Sequence, residues 1–255
     1  MSPRPARFVV AVGSGKGGVG KSTVSLRLAV ALAGKGLSVG LVDADLYGPD
    51  IPLMVGISRE EQARQLHLWR KDAARHEPIK RHGISIMSVG FLIGERQALT
   101  MGAPLLTAAL NQLVTNVDWG DLDVLLIDLP PGTADLQQQL LSIVSLDGAL
   151  VVVGPQDVAH LDGRKFIDFL RDAAIPIVGG IENMSGLQCP HCGEHVEVFP
   201  PVADDRSIWA DGAALLGRIP LDPALAASER FDAQAGVFAS LADRVLDALE
   251  RPAAA

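Results

Sequence analysis

Aromatic residues are scarce in this chain, at 4% of 255 residues, although 48% of the residues are hydrophobic. The core must therefore be built mainly from valine, leucine, isoleucine and alanine. No apolar run approaches the ~20 residues that a helix needs to cross a bilayer, and nothing near the N-terminus has the pattern of a secretory signal. We therefore expect a cytoplasmic protein that makes no membrane contact.

Basic residues are also in deficit, with 22 lysines and arginines against 30 aspartates and glutamates, for a formal net charge of -8. Proteins that bind nucleic acid over a broad surface are normally basic. The charge balance therefore predicts no nucleic-acid partner.

Apolar runs rich in branched residues alternate with helical patterns along the chain, which is typical of a parallel sheet covered by helices. The predicted strands are Phe8–Val12, Ser38–Val42, Ile84–Ser88, Val124–Ile127, Leu150–Val153, Ile177–Ile181 and Leu215–Ile219. The predicted helices are Ser22–Ala33, Pro104–Asn116, Thr133–Ser145, Asp162–Ala173, Ala203–Gly212 and Gly236–Leu249. The pattern predicts an α/β fold with a doubly wound, mostly parallel sheet, in a single domain over residues 1–255 with a loose tail at 251–255.

A glycine-rich segment between the first predicted strand and helix fits the phosphate-binding pattern G-x-x-x-x-G-K-[ST]. Its glycines let the backbone curl around an anion, and the helix N-terminus adds partial positive charge. We expect Lys21 to reach the β- and γ-phosphates of ATP and the Ser22 hydroxyl to hold Mg²⁺. The predicted nucleotide-binding residues are Gly15, Lys16, Gly17, Gly18, Val19, Gly20, Lys21, Ser22 and Thr23.

Aspartates follow two of the predicted strands, at the sheet edge where ligands of open α/β sheets bind. Asp128 is the candidate for a Mg²⁺-holding carboxylate, and Asp45 for a second one that orients the attacking water. Asp43 is expected to support Lys21 or the metal. A single strand-end aspartate often only caps the next helix, but two such ends beside a phosphate loop favour catalysis. The predicted catalytic set is Lys16, Lys21, Asp45 and Asp128, with Ser22, Asp45 and Asp128 as Mg²⁺ ligands.

The chain has only two cysteines, Cys189 and Cys192, and both belong to one C-x-x-C motif in a predicted metal knuckle over residues 183–198. Pro190 and Gly193 favour a turn over the helix start that a thioredoxin-like redox pair needs. Two thiolates cannot complete a four-thiolate site, but two chains facing each other across a two-fold axis can. From the residues alone, zinc and an iron–sulfur cluster remain equal alternatives.

The loop Lys16–Ser22 resembles the deviant Walker A loop of the SIMIBI class of P-loop NTPases, which includes MinD, ParA and the nitrogenase iron protein. In that class the extra lysine crosses the interface of a nucleotide-sandwich dimer. The resemblance implies that role for Lys16, and a homodimer.

Further segments resemble the Mrp (ApbC) family of iron–sulfur cluster carrier ATPases. They are Asp43–Pro49, Asp118–Gly120, Asp128–Thr133, Pro155–Ala159, Ile181–Gly186, Cys189–Glu194 and Ile219–Pro223. The resemblance implies a [4Fe-4S] cluster held between two subunits by Cys189 and Cys192, and ATP-coupled delivery to apo iron–sulfur client proteins. It also implies that Asn183 contacts adenine, with Pro220 and Asp222 nearby.

The chain departs from that family's pattern where Val198–Ala203 replaces a glycine-rich run after the cysteines, so we expect its dimer surface or client contacts to differ. One alternative function is a MinD- or ParA-like positioning ATPase with a structural zinc knuckle. Another is an electron-transfer ATPase like the nitrogenase iron protein, which the cysteine spacing opposes because that family places its ligands on two separated loops. Finally, His160 is expected to be a loop residue.

Overall fold

In a computed structural model, the structure describes residues 4–45, 48–58, 60–62, 64, 76–91, 108, 111–132, 137, 144–189, 191–222, 225, 231 and 235–251. Within these residues the strands form one nine-stranded sheet. The strands are β1 (Ala6–Gly13), β2 (Val39–Asp43), β3 (Ile79–Arg81), β4 (Ile84–Ser88), β5 (Leu122–Asp128), β6 (Gly148–Val153), β7 (Ile177–Gln188), β8 (His195–Val196) and β9 (Leu215–Leu221). The helices are α1 (Lys21–Gly34), α2 (Ile51–Met54), α3 (Asp157–Asp172) and α4 (Ala235–Glu250).

The sheet has the strand order β3-β4-β2-β5-β1-β6-β7-β8, with β9 paired to β7. The pairs among β1, β2, β4, β5, β6, β7 and β9 are all parallel, whereas β3 and β8 are antiparallel additions. The predicted mostly parallel α/β sheet is therefore confirmed. Its parallel strands end at one edge, where the phosphate loop follows β1 and Asp128 ends β5.

The core is aliphatic, as the scarcity of aromatic residues predicts, because buried valines, leucines and isoleucines dominate it. Phe91 and Phe166 are the largest side chains that are fully buried. Continuous burial of β2 and β6 reflects helices packed on the sheet. The helix α4, predicted as Gly236–Leu249, packs against α1, β7 and β9. In the described part of the chain, every helix is too short or too polar to span a bilayer.

The prediction of a helix over Ala203–Gly212 is wrong. The structure has only a short 3-10 helix at Asp204–Arg206, followed by turns. The backbone N–H of Ile208 donates to Nδ1 of His160 at 3.2 Å, so it is not available to a helical carbonyl four residues back. Packing of Ile208 against Gly163 and Gly180 thus overrides the local helical pattern.

Helix α3 begins at Asp157, five residues before the predicted start at Asp162. His160, expected in a loop, therefore belongs to this helix and is completely buried. Of the predicted helix Pro104–Asn116, residues 111–115 are helical. Residue 108 is also helical and residue 116 is not, whereas residues 104–107, 109–110 and most of Thr133–Ser145 lie outside the described residues.

Candidate functional site

The phosphate loop connects β1 to α1 and is held in shape by a side chain of β7. Gly20 precedes α1 with φ +77°, and a Cβ there would lie 2.3 Å from Nδ2 of Asn183, so this position requires glycine. Nδ2 of Asn183 donates a hydrogen bond of 2.8 Å to the carbonyl oxygen of Val19. Oγ of Ser14 donates to the carbonyl of Lys16 at 2.9 Å. These bonds fix both ends of the loop.

A cavity of about 210 Å³ opens over the loop. It is lined by Ser14, Lys16, Gly17, Gly18, Val19, Gly20, Lys21, Ser22, Thr23, Asp45, Asp50, Met54 and Pro131. All the predicted phosphate-loop residues except Gly15 face this cavity. Gly15 instead lies against α3, where a Cβ would come within 1.9 Å of the carbonyl oxygen of Asp162.

The carboxylate of Asp128 is the centre of the buried polar network beneath the loop. Oδ2 lies 2.8 Å from Nζ of Lys21 and accepts a 2.7 Å hydrogen bond from Oγ of Ser22. Oδ1 accepts a 2.7 Å bond from Oγ of Ser25. Asp128 is completely buried and Lys21 nearly so. A buried charge is stable only when it is paired and hydrogen-bonded, and this carboxylate has both kinds of partner.

Asp43 lies beside Asp128, since the two residues are register partners on β2 and β5. Burial raises the pKa of Asp43 well above its usual range, and the charge of Asp128 raises it further. Its oxygens accept bonds from Oγ of Ser88 at 3.1 Å and from the backbone N–H of Asp45 at 3.2 Å. Asp43 therefore supports the segment that carries Asp45, whose half-buried side chain lines the cavity.

The donor set beneath the loop fits Mg²⁺. The Ser22 hydroxyl and the Asp128 carboxylate are hard oxygen ligands, and their oxygens lie 2.7 Å apart. Adjacent ligands of an octahedral Mg²⁺ with bonds of ~2.1 Å are roughly 3 Å apart, so a small adjustment would let both bind one ion.

The two cysteines lie in a tight turn between β7 and β8. The backbone N–H of Cys189 donates to the carbonyl of Glu194 at 2.8 Å, and that of Gly193 donates to the carbonyl of Cys189 at 2.9 Å. Cys192 is exposed and Cys189 partly so. Backbone N–H groups of Cys192 and His191 lower the pKa of the Cys189 thiol, which favours the thiolate that binds metals.

No third metal-binding side chain completes this pair within one chain, because the described residues contain no group of three or more histidine, cysteine or acidic side chains suited to a metal. The geometry is a turn, as the residues around the cysteines predict, and not a helix start.

The residues expected near adenine are Asn183 on β7, Pro220 on β9 and Asp222, which follows the last residue of β9. Asn183 pairs in register with Ile219, the residue before Pro220. The amide nitrogen of Asn183 is bonded to the phosphate loop, so this residue positions the loop whether or not it also contacts a base.

Sequence reasoning missed Ser25, although its position three residues after Ser22 on α1 places it on the same side of the helix. It also missed Glu182, which neighbours Asn183 on β7. Because successive strand residues face opposite sides of a sheet, Glu182 points away from the loop, towards α3. Glu182 belongs to the motif Ile181–Gly186, but that motif does not indicate its contact with α3.

Comparison with known proteins places the fold and site in a family context. The family model described as ParA, NUBPL iron-transfer P-loop NTPase, matches residues 6–249. The chain is 41% identical over 215 residues to an Arabidopsis thaliana protein named "Iron-sulfur protein required for NADH dehydrogenase, mitochondrial". It is 39% identical over 217 residues to a Helicobacter pylori protein named "Iron-sulfur cluster carrier protein". These alignments cover 84% and 85% of the chain, and the chain spans 66% and 58% of the two relatives.

Among solved structures, a nucleotide-binding protein from Archaeoglobus fulgidus in complex with ADP is similar, with a TM-score of 0.72 and 31% identity. The match covers 97% of this chain and 90% of that one. The cell-division ATPase MinD of Pyrococcus furiosus has a TM-score of 0.69 over 94% of this chain and 99% of its own, at 22% identity, and shows the fold alone.

Proposed function

Because the chain belongs to the NUBPL-type iron-transfer P-loop NTPases, we propose that it is an ATPase that carries an iron–sulfur cluster to apo-proteins. Two copies would form a homodimer and hold one [4Fe-4S] cluster through Cys189 and Cys192 of each chain. Several relatives are named iron–sulfur cluster carriers, which supports the cargo.

One observation carries the proposal: a single strand connects the nucleotide cavity to the cysteine turn. Asn183 on β7 is bonded to Val19 of the phosphate loop, and Cys189 follows β7 directly. Five residues separate Asn183 from Cys189, and the strand is irregular between them, because Met184 and Gly186 have positive φ. A shift of the loop that accompanies nucleotide binding would reach the cluster ligands through this strand.

In the nucleotide half of the mechanism, Lys21 would exchange Asp128 for the β- and γ-phosphates of ATP. Ser22 and Asp128 would hold Mg²⁺, which neutralises phosphate charge. Asp45 would orient the attacking water from the facing wall of the cavity, and Lys16 would reach the nucleotide of the partner subunit. Positioning and charge neutralisation are the main demands of phosphoryl transfer. We expect slow turnover until a recipient protein is bound.

In the cargo half, each chain contributes two thiolates and the dimer supplies four, the number that a [4Fe-4S] cluster requires. The backbone N–H groups of the turn stabilise the Cys189 thiolate. The exposed position of Cys192 leaves the cluster open to an acceptor thiol. Coupling to ATP requires that cluster affinity differ between nucleotide states.

Anaerobic reconstitution of the purified protein tests the cargo, with visible absorption and counts of iron, sulfide and zinc per dimer. We expect four irons per dimer, as [4Fe-4S] requires, and loss of the cluster in Cys189→Ser and Cys192→Ser. Tightly bound zinc without cluster uptake would contradict the carrier function. In that case the zinc-knuckle positioning ATPase would be the better hypothesis.

Titration of cluster release to a chelator, with ADP and with a non-hydrolysable ATP analogue, tests the coupling. Equal release rates in the two nucleotide states would show that ATP does not control the cargo. The variant Lys21→Ala, which should not bind nucleotide phosphates, serves as the uncoupled control.

A further inference from the structure

A second and larger cavity, of about 350 Å³, lies beside the cysteine turn and apart from the phosphate loop. Its lining is drawn from the residues after β6, from β7 and β8, from the segment between β8 and β9, and from β9. It is formed by Pro155, Glu182, Ser185, Gly186, His195, Glu197, Phe199, Pro200, Pro201, Val202, Asp204, Trp209 and Arg218. We call it the knuckle cavity. Its volume is within the range of pockets that accept a ligand or an inserted side chain.

The two cavities lie on opposite faces of β7. Asn183 faces the phosphate loop, while its neighbour Glu182 faces α3 and lines the knuckle cavity. The nucleotide proposed above therefore does not account for this space.

Glu182 forms the polar floor of the knuckle cavity. Its Oε1 accepts bonds from Oγ of Ser185 at 2.6 Å and from Nε of Arg218 at 3.1 Å, and its Oε2 lies 3.7 Å from Nε2 of His160. Burial on its own would raise the pKa of Glu182, but the neighbouring donors, His160 foremost, outweigh it and bring the pKa to about 2. The floor carries a full negative charge at neutral pH.

His160 lies beneath this floor. Its Nδ1 accepts the N–H of Ile208, so Nε2 is the ring nitrogen that can donate. Nε2 is buried, and its distance of 3.7 Å to Oε2 of Glu182 is longer than a normal hydrogen bond, so the interaction that lowers the pKa of Glu182 is a long one. A small movement of Glu182 towards α3 would therefore bring it within hydrogen-bond distance of Nε2 of His160.

The lining has an excess of negative charge. Three carboxylates, those of Glu182, Glu197 and Asp204, face a single guanidinium, that of Arg218, which is already bonded to Glu182. An occupant of complementary charge is therefore a cation.

The upper wall is aromatic and apolar. Trp209 and Phe199 line the cavity beside three prolines, and Phe199 is 38% exposed. Val196 and Val198 extend the exposed apolar strip along the same hairpin, at 45% and 44% exposure. Aromatic faces next to carboxylates favour a lysine or arginine side chain through cation–π and ionic contacts together.

We infer that the knuckle cavity is a docking pocket for a basic side chain, arginine or lysine, in an extended and otherwise apolar peptide segment of a partner protein. The strip Val196, Val198 and Phe199 would receive the apolar neighbours of that side chain.

The hairpin formed by β7 and β8 places the pocket beside the cysteines. His195 pairs with Gln188, which precedes Cys189, so the pocket wall and the cysteines share one hairpin. A segment docked there would sit next to the cargo. We therefore identify the partner as the protein that receives the cluster. This identification rests on the proposed carrier function.

The test uses the full chain without cluster and the peptide acetyl-Ala-Leu-Arg-Leu-Ala-amide, with binding measured by titration calorimetry. A matched peptide with glutamine in place of arginine is the ligand control. We expect the arginine peptide to bind roughly fivefold more tightly than the glutamine peptide, and Phe199→Ala to remove most of that difference. Glu197→Gln should weaken the arginine peptide roughly threefold.

The variant Val158→Ala is the matched control, because Val158 is an exposed apolar residue of α3 that does not line the cavity. It should bind both peptides like the unmodified chain. Equal affinity for the two peptides, or unchanged binding in Phe199→Ala, would overturn the inference. So would sedimentation showing that Phe199→Ala separates a dimer into monomers, which would assign this surface to a second copy.

Failure of the carrier function would look different. Peptide binding is measured without a cluster, so a chain that binds the peptide but takes up zinc instead of iron retains the pocket and loses the carrier function. A chain that assembles its cluster but does not bind the peptide retains the carrier function and lacks the docking pocket.

Discussion

At the scale of single residues, the carboxylate of Asp128 divides its two oxygens among three donors. Lys21 and Ser22 both contact Oδ2, whereas Oδ1 accepts from Ser25. Nucleotide binding would draw Lys21 and Ser22 away towards phosphate and Mg²⁺. Ser25 contacts the other oxygen and is buried below the cavity, so its bond is the one that can persist in both states.

Removal of that hydroxyl in Ser25→Ala should therefore destabilise the protein. A lost hydrogen bond to a buried carboxylate costs about 2 kcal/mol of unfolding free energy, which urea denaturation would measure. Thr115→Ala removes an exposed hydroxyl that donates to the carbonyl of Asn111 and should change stability by less than ~0.5 kcal/mol. Similar small effects for both variants would mean that Asp128 does not depend on Ser25.

Glu182 gives the protein a pH-dependent component of stability. Its pKa in the folded protein, about 2, is below that of an unfolded glutamate at ~4.3. The unfolded chain thus takes up the proton first as pH falls. Stability contributed by Glu182 is complete above about pH 5 and is lost as the pH falls towards 2.

The variant Glu182→Gln should therefore lose less stability than the unmodified chain between pH 5 and pH 2. We expect a difference of about 2 kcal/mol, less than the full shift implies, because the partner Arg218 is half exposed and screened by solvent. Chemical denaturation at a series of pH values would measure it. Glu197→Gln, an exposed change on the neighbouring hairpin, is the control, and parallel curves for all three proteins would refute the assignment.

At the scale of elements, β7 does more than pair with its neighbours. It pairs with both β6 and β9, and the side chain of Asn183 is hydrogen-bonded to the phosphate loop. The strand then continues into the cysteine turn. Loop shape and strand position are consequently connected by one buried hydrogen bond.

Replacement of that side chain in Asn183→Ala should weaken ADP binding roughly tenfold, because the carbonyl of Val19 loses its donor and the loop its anchor. Equilibrium titration with a fluorescent ADP analogue would measure the dissociation constant. Asn116→Ala, on an exposed residue far along the chain, should bind ADP normally. Unchanged affinity in Asn183→Ala would show that the loop holds its shape without this bond.

The seven longer strands could be predicted from sequence, since buried parallel strands are continuous apolar runs with a clear end. Strands β3 and β8 could not, because they are three and two residues long and largely exposed, with no alternation to detect. Sequence motifs identify the phosphate loop, Asp128 and the cysteines. The contacts of Ser25, Glu182 and His160 depend on tertiary packing, and the segment after Ala203 has a helical pattern that a buried histidine overrides.

At the scale of the whole molecule, the proposed site is complete only in a dimer. In the proposed homodimer, Asp45 and Asp128 would act on the nucleotide of their own subunit, while Lys16 would act on that of the partner. Each of the two nucleotide sites in a dimer would then contain residues from both chains. Such division of a site between subunits can be tested by mixing.

Lys16→Ala and Asp45→Ala should each abolish ATP hydrolysis alone. An equimolar mixture should recover about a quarter of the unmodified rate, because half the dimers are mixed and each has one complete site. A phosphate-release assay would measure the rate. Mixing Lys16→Ala with the double variant should recover nothing, and absence of recovery in the first mixture would place Lys16 in its own subunit's site.

The ion pair between Lys21 and Asp128 has a consequence for the protein between reactions. An empty phosphate loop would ordinarily leave a buried ammonium group without a counter-charge, and the fold would then depend on a constant supply of ligand. Here the carboxylate of Asp128, the proposed Mg²⁺ ligand, neutralises that ammonium group. We therefore expect Asp128 to neutralise Lys21 whenever a phosphate ligand leaves it, so that exchange of one nucleotide for another would not pass through a destabilised form.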